Sequence, residues 1–290
     1  MKCLKWIAIA ALSVSSINGF ATTLTAENIM NQYTDKGYSD IQDNYIGKGH
    51  SNDINGKSYL YDVDQMFVSR VGTTLSVDIF TAFYNDINRD GIRLGDLFMA
   101  ADNSFNSTGE SPWDPQGNTS DDSFTSAAAN SNTGTNWNYV YDLSGARNSN
   151  SGTGQLKSNF GANQVVSSTT LHGNSARADQ AVMLADNNHT DKIHDSSSWY
   201  ADTSYSYAKT VGGTWNGYGK VSFTFDVTGT ALATANQIAF RWAMTCANDI
   251  IEGVVSFAPP TDTIAVPEPQ TFVLMLLAMF GLIYRRKITH

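Results

Sequence analysis

Leu75-Ser76-Val77-Asp78-Ile79-Phe80-Thr81-Ala82-Phe83 places Leu75, Val77, Ile79, Thr81 and Phe83 on one side and Ser76, Asp78, Phe80 and Ala82 on the other. A period of two is the signature of a β-strand with one face turned inward. The pattern recurs where Val221, Phe223, Phe225 and Val227 alternate with Ser222, Thr224 and Asp226. It recurs again in Ile238, Phe240, Trp242 and Met244, with Arg241 turned the other way. Tyr59-Tyr61-Val63, Trp137-Tyr139-Tyr141-Leu143 and Ile251–Phe257 read as further strands. Aromatic and β-branched residues dominate these runs, as a half-buried pleated surface prefers. Leu24–Tyr33 alone reads as a helix, short and behind a Thr-type cap. Many strands with little helix between them predict an all-β, antiparallel sandwich or jelly roll as a single domain.

Between the strands lie polar stretches rich in Asn, Ser, Thr and Gly, at 102–136, 144–170 and 186–219. They read as long loops, a class that is either functional or mobile. No repeat of fixed period organises them.

Charge narrows the partners. The whole chain carries a formal net charge of −9. Of its basic residues 13 of 18 fall within 22–265, against 26 of 27 acidic ones, so that stretch stands at −13. Nucleic acid is excluded as a partner, because binding it requires Lys and Arg to neutralise phosphate. An acidic surface favours solubility and cation binding. The two cysteines are Cys3 and Cys246. Cys3 lies in an N-terminal export segment, which leaves Cys246 without a disulfide partner in its own chain. Its neighbours Met244 and Ala247 suit a small buried hydrophobe.

Both ends read as addresses. Lys2 and Lys5 precede an apolar run from Trp6 to Val14, and Gly19-Phe20-Ala21 puts small residues at the −3 and −1 positions. That is a secretory signal peptide, residues 1–21, cut after Ala21. The body is then 22–265. Beyond it come Val266-Pro267-Glu268-Pro269, an apolar run from Thr271 to Tyr284, and Arg285-Arg286-Lys287. The two prolines fix φ and remove backbone donors, keeping the junction extended. The apolar run has 14 residues, short of the roughly 20 a helix needs to cross a bilayer core. Three positive charges beyond it resist translocation.

The order of Pro-Glu-Pro, hydrophobic helix and basic cluster over 266–290 resembles the PEP-CTERM sorting signal of bacterial surface proteins. The resemblance implies recognition and removal of the tail by an exosortase in a Gram-negative bacterium that makes extracellular polysaccharide. It also implies transient contact with the inner membrane through the C-terminal helix. A tail anchor that is never cut is the alternative.

The sharpest local cluster in the body is Asp86-Ile-Asn88-Arg-Asp90-Gly91-Ile-Arg-Leu-Gly-Asp96. Oxygen ligands at positions 1, 3 and 5 and Gly at 6 match the first half of a calcium loop. Position 12 is Leu97, and Asp96 comes one residue early. Calcium through Asp86, Asn88, Asp90 and Asp96 is the candidate cofactor, and a hairpin turn is the competing reading. Cys246 with Asn248 and Asp249 invites a nucleophile, but a catalytic thiol needs a base within reach and no histidine is near in sequence. His189 and His194 flank Asp191 without the further ligands zinc requires. Gly-x-Ser-x-Gly, phosphate-loop and dinucleotide motifs are absent, and among 26 carboxylates no spacing singles out a glycosidase pair. No catalytic residue is nominated. Trp113, Trp199, Tyr200, Tyr205, Tyr207 and Trp215 are candidates for stacking on sugar rings, Trp199 and Trp215 foremost, and core residues under long loops are the equal competing reading. The sequence therefore predicts an exported, non-enzymatic surface or matrix protein associated with exopolysaccharide. A carbohydrate-binding module, with or without calcium, and a polysaccharide hydrolase are the alternatives.

Overall fold

A computed structural model describes Tyr33, residues 39–42, 57–101 and 137–257, less 144, 161–163, 174–179, 186–190, 195 and 212–213. The signal peptide, the rest of the Leu24–Tyr33 helix, the 102–136 segment and the sorting tail lie outside the described residues. Thirteen strands are described: β1 (Ser39–Gln42), β2 (Val63–Val71), β3 (Thr74–Thr81), β4 (Leu97–Ala101), β5 (Tyr139–Asp142), β6 (Ser151–Ser158), β7 (Val165–Ser167), β8 (Ala181–Leu184), β9 (Asp191–Lys192), β10 (Ser197–Val211), β11 (Thr214–Asp226), β12 (Gln237–Ala243) and β13 (Ile250–Ser256). Two short helices, α1 (Ser58–Tyr61) and α2 (Ser168–His172), accompany them.

Every pairing is antiparallel, as the alternating patterns predict. One sheet runs in the order β1-β2-β3-β11-β10-β6-β5-β4-β12-β13, with β9 added to β6, and β7 and β8 form a separate hairpin. The last strand, β13, lies against β1 and β2, so the sheet is a nearly closed barrel. This differs from a sandwich of two separately paired sheets. The reason is β6, whose first half (151–154) pairs with β10 and whose second half (155–158) pairs with β5. One strand thus serves both halves of the wall, as a corner strand does.

The inward side chains make one core. Met66, Val68, Val77, Ile79, Val221 and Phe223 from one half meet Leu97, Met99, Tyr141, Phe240, Trp242 and Ile251 from the other. Alternation then turns Phe67, Asp78, Phe80, Lys220 and Ser222 outward. A second apolar cluster lies outside the other half, where Phe98, Ala100, Val140 and Ala239 pack against Phe160, Ala181 and Leu184. The β7–β8 hairpin therefore covers that wall. The distal part of the β10–β11 hairpin, Tyr207–Val211 paired with Thr214–Tyr218, follows a register shift after Asp202. Beyond that shift it pairs with no third strand among the described residues.

Two expected loops contain strands. β6 is Ser-Gly-Thr-Gly-Gln-Leu-Lys-Ser, whose glycines read as loop. Their reason is packing. A Cβ on Gly154 would lie 2.5 Å from the Tyr141 ring, and one on Gly152 would lie 2.5 Å from Ala146 Cβ. Glycine in a strand marks such close approach. Gly154→Ala is expected to lower unfolding free energy by about 1–3 kcal/mol, the usual cost of overpacking. Gly217→Ala, where a Cβ meets nothing within 4 Å, should stay within about 0.5 kcal/mol of the parent. Chemical denaturation of the two variants and the parent decides this, and equal losses would refute the packing account.

Candidate functional site

Three buried polar centres of the described body are built from outward-facing strand positions and from residues at strand ends and turns. The first covers the outer face of β2, β3 and β11. Register sets Phe67, Asp78, Ser222 and Tyr200 side by side, and Gln65, Phe80, Lys220 and Asp202 in the next row. Tyr33 lies over them, stacked on Phe67 at 4.4 Å between centroids and edge-on to Phe80 at 5.8 Å. Its hydroxyl donates to Asp78 Oδ2 at 2.5 Å, and Lys220 Nζ donates to both Asp78 Oδ2 and Tyr33 Oη at 3.1 Å. Beside this, Tyr207 donates to Asp64 and Tyr218 to Asp62, the two rings stacked 5.0 Å apart. Burial, and then the adjacent Asp64 charge, push the Tyr207 phenol far above its ordinary range. It stays protonated and remains a donor. Asp62, Asp64, Asp78 and Lys220 are all buried, so this face is packed rather than open. Tyr200 at its rim is exposed, with Lys220 Nζ 5.9 Å from its ring centre.

The second centre is Asp96. Its Oδ1 accepts from Leu143 N (3.0 Å) and Arg147 Nε (3.1 Å), and its Oδ2 from Leu184 N (2.8 Å) and Arg147 Nη2 (3.0 Å). Arg147 also reaches Asp142 at 2.5 Å, and Lys157 meets the other oxygen of that carboxylate at 2.5 Å. Burial raises the Asp96 pKa, and Arg147 pulls it back down. The third centre lies under the β7–β8 hairpin, where Arg241 donates to Glu252 (2.7 Å) and to Gln180 (2.6 Å), all three fully buried.

The calcium candidates divide between two places. Asp86 is paired with Arg89 at 2.6 Å, and Asn88 (φ 72°) and Asp90 (φ 55°) sit in left-handed conformations beside Gly91 (φ 76°). Asp96, 1% exposed, spends its carboxylate on the four donors above. The local cluster is thus a tight turn, while its last carboxylate serves the interior. Among the described residues, no group of three or more His, Cys, Asp or Glu is placed to hold a metal.

Trp199 corrects a sequence expectation. It is 1% exposed and belongs to the barrel core, because its position on β10 is an inward one paired with Phe223 and Gly152. Its ring has no face to offer a sugar. Trp215 pairs with Thr210 in the hairpin arm, and its side chain, like Trp113 and His189, lies outside the described residues. Tyr207 is buried in the first centre. Cys246 is buried in the core, as its flanks predicted. The neighbouring Thr245 Oγ1 bonds His172 Nε2 at 2.9 Å and accepts from Arg93 N at 2.9 Å. Burial, then the Arg93 charge, lower the His172 pKa below 6.5. The Asp–Tyr pairs and the Arg147 centre were invisible to sequence reading, since their members lie up to 156 positions apart.

Comparison with known proteins adds the other end of the molecule. The family model described as the PEP-CTERM protein-sorting motif matches residues 265–287. No curated protein and no solved structure matches the chain. The motif implies an exported cell-surface protein sorted by an exosortase. Among the described residues no helix is long and apolar enough to cross a membrane, and the apolar run 271–284 lies outside them.

Arg147→Ala leaves two buried carboxylates facing each other without their shared cation, a change expected to cost about 3–5 kcal/mol. Thermal or denaturant unfolding checks this, and a loss under about 1 kcal/mol would mark the cluster as a weak surface-like pair. His172 gives a pH signature. Because its folded pKa is depressed, its contribution is present above pH 6.5 and is lost as pH falls through the lower folded value. Stability of the parent against unfolding should fall as pH drops across that interval, and His172→Gln should flatten the slope there.

Proposed function

We propose that this chain is an exported, non-enzymatic surface or extracellular-matrix protein of a Gram-negative bacterium. It is sorted and cleaved through its C-terminal signal and associates with extracellular polysaccharide. The observation that carries the reading is the sorting motif at 265–287. The apolar run that follows Pro-Glu-Pro holds the precursor at the inner membrane, and Arg285-Arg286-Lys287 keeps its end on the cytoplasmic side.

The body supports a structural role. Its buried charges are committed to cross-links within the wall: Asp96 and Asp142 to Arg147, Asp78 to Lys220, and Glu252 to Arg241. Residues used in this way hold strands in register. The strongly acidic 22–265 stretch favours a solvated, repulsive surface outside the cell. The hydroxyl- and amide-rich segments 102–136 and 186–190 supply side chains suited to hydrogen bonding with a hydrated polymer.

Intact-mass analysis of the protein from its native host tests the sorting. The expected mature form starts at Thr22 and ends near Pro267–Pro269. A chain still carrying Arg285-Arg286-Lys287 would defeat it. Co-sedimentation with the host's purified exopolysaccharide, together with a reducing-sugar assay on the same material, tests the rest. Retention without sugar release is expected, whereas release would assign a hydrolase.

A further inference from the structure

We infer that the strip of outer wall formed by β3, β11, β10 and β6 is a docking face for an uncharged polysaccharide, with Tyr200 as its stacking ring. This rests on the polysaccharide reading above and gives it a place on the fold.

Two parts of the outer wall are covered, one by Tyr33 over Phe67 and Phe80 and the other by the β7–β8 hairpin. The strip differs from both. Leu75, Val77, Phe223, Phe225 and Trp199 point into the core, so alternation turns Ser76, Thr224, Ser198 and Tyr200 outward. Register lines them up. Ser76 pairs with Thr224, and Ser198 with Thr153. Because Trp199 pairs with Phe223, Ser198 falls beside Thr224. One row of hydroxyls therefore crosses four strands, a width of about 14 Å at the usual strand spacing. In the next row Tyr200 stands between Ser222 and Ser151. Thr224, Ser198, Thr153, Ser151 and Tyr200 are all exposed, Tyr200 by 45%.

Ser222 is a separate sign of a ligand. It is 3% exposed, and among the described residues its hydroxyl has no hydrogen-bond partner. It faces outward beside the Tyr200 ring. A buried hydroxyl left unpaired costs free energy, and a sugar hydroxyl that displaces the ring edge would pair it.

The chemistry of the strip selects its occupant. None of Ser76, Thr224, Ser198, Thr153, Ser151 and Tyr200 is charged. Lys220 and Asp226, which border the strip, are engaged by Asp78 and by Thr228. An anionic polymer meets repulsion from the acidic 22–265 stretch. A protein partner buries several large anchors at the centre of its contact, and this strip offers one ring. A neutral glycan matches what is there. Its C–H faces stack on a ring, and its hydroxyls donate and accept as Ser and Thr hydroxyls do.

The test uses the chain as its native host releases it. Retention is measured on the host's purified exopolysaccharide and on neutral hydroxyethylcellulose, with polygalacturonate as the anionic comparison. Binding of the parent should persist in about 1 M NaCl, where charges are screened within about 3 Å. Tyr200→Ala should weaken it about 10-fold, since a central aromatic anchor carries much of a contact's energy, whereas Tyr200→Phe should keep it. Thr224→Val combined with Ser198→Val removes two hydroxyls and should weaken it at least about 3-fold. Tyr59 is 44% exposed on α1, off the strip, so Tyr59→Ala should match the parent. Denaturation midpoints check the fold of each variant, and the double hydroxyl variant decides if Tyr200→Ala is destabilised. Parental binding by both Tyr200→Ala and the double variant overturns the inference and leaves the polysaccharide reading standing. So does binding that is confined to polygalacturonate or abolished by salt. A parent retained on none of these polymers overturns the polysaccharide reading, and the inference with it.

Discussion

The Asp96–Arg147 pair is the constraint around which the described body is organised. Asp96 sits at the entry to β4, and its four donors come from the exit of β5, the turn before β6 and the end of β8. Arg147 carries the connection on to Asp142 and so to Lys157 on β6. The backbone around it is equally fixed. Asp96 N donates to Val182 O, and Leu94 N to Arg147 O. Gly95 passes so close to Ala243 O and Val182 O that a Cβ would lie 2.1 and 2.6 Å from them. A buried ion pair adds little net stability over a well-packed apolar substitute, but an incomplete one is costly. Its effect is selective: arrangements that misplace β5, β6 or β8 leave a charge buried without its partner.

That selectivity matters because the chain's two cysteines are Cys3 and Cys246, so no disulfide joins two residues of the described wall. β6 is the strand most in need of fixing. It has one fully inward aliphatic, Leu156, and two glycines that let Tyr141 and Trp199 approach. A strand with so little apolar pattern specifies its register weakly. Here the register is supplied by Lys157 on Asp142 and by the Tyr141 hydroxyl on Ser197 at the start of β10. The corner that joins the two halves of the barrel is held by polar contacts where the core contributes least.

The same facts explain what could be read from the sequence. β3 and the second half of β11 alternate because one side of each faces the core, and that physical cause writes a period of two into the chain. β4 is buried on both faces, between the core and the β7–β8 hairpin, so Leu97–Ala101 shows no alternation. β6 and the arm of β10 and β11 are Ser-, Gly- and Tyr-rich, a composition shared with loops. The sequence left Trp199 open between core and surface for a related reason: its strand neighbours Ser197, Ser198 and Tyr200 are polar or exposed. The Asp–Tyr pairs join β2 to the far side of the chain, a separation that no local pattern encodes. The sorting tail was legible because its recognition depends on order and composition along the chain rather than on a fold.

Body and tail meet at the seam of the barrel. β13 forms one edge of the sheet and lies against β1 and β2 at the other edge. Its pairing with β12 is complete at Ser256, and the Arg70–Phe257 contact closes it. The body is held by Asp96, Arg147 and the core, all upstream of the sorting motif at 265–287, so what fixes the described barrel is written into the chain before the signal that sorts it.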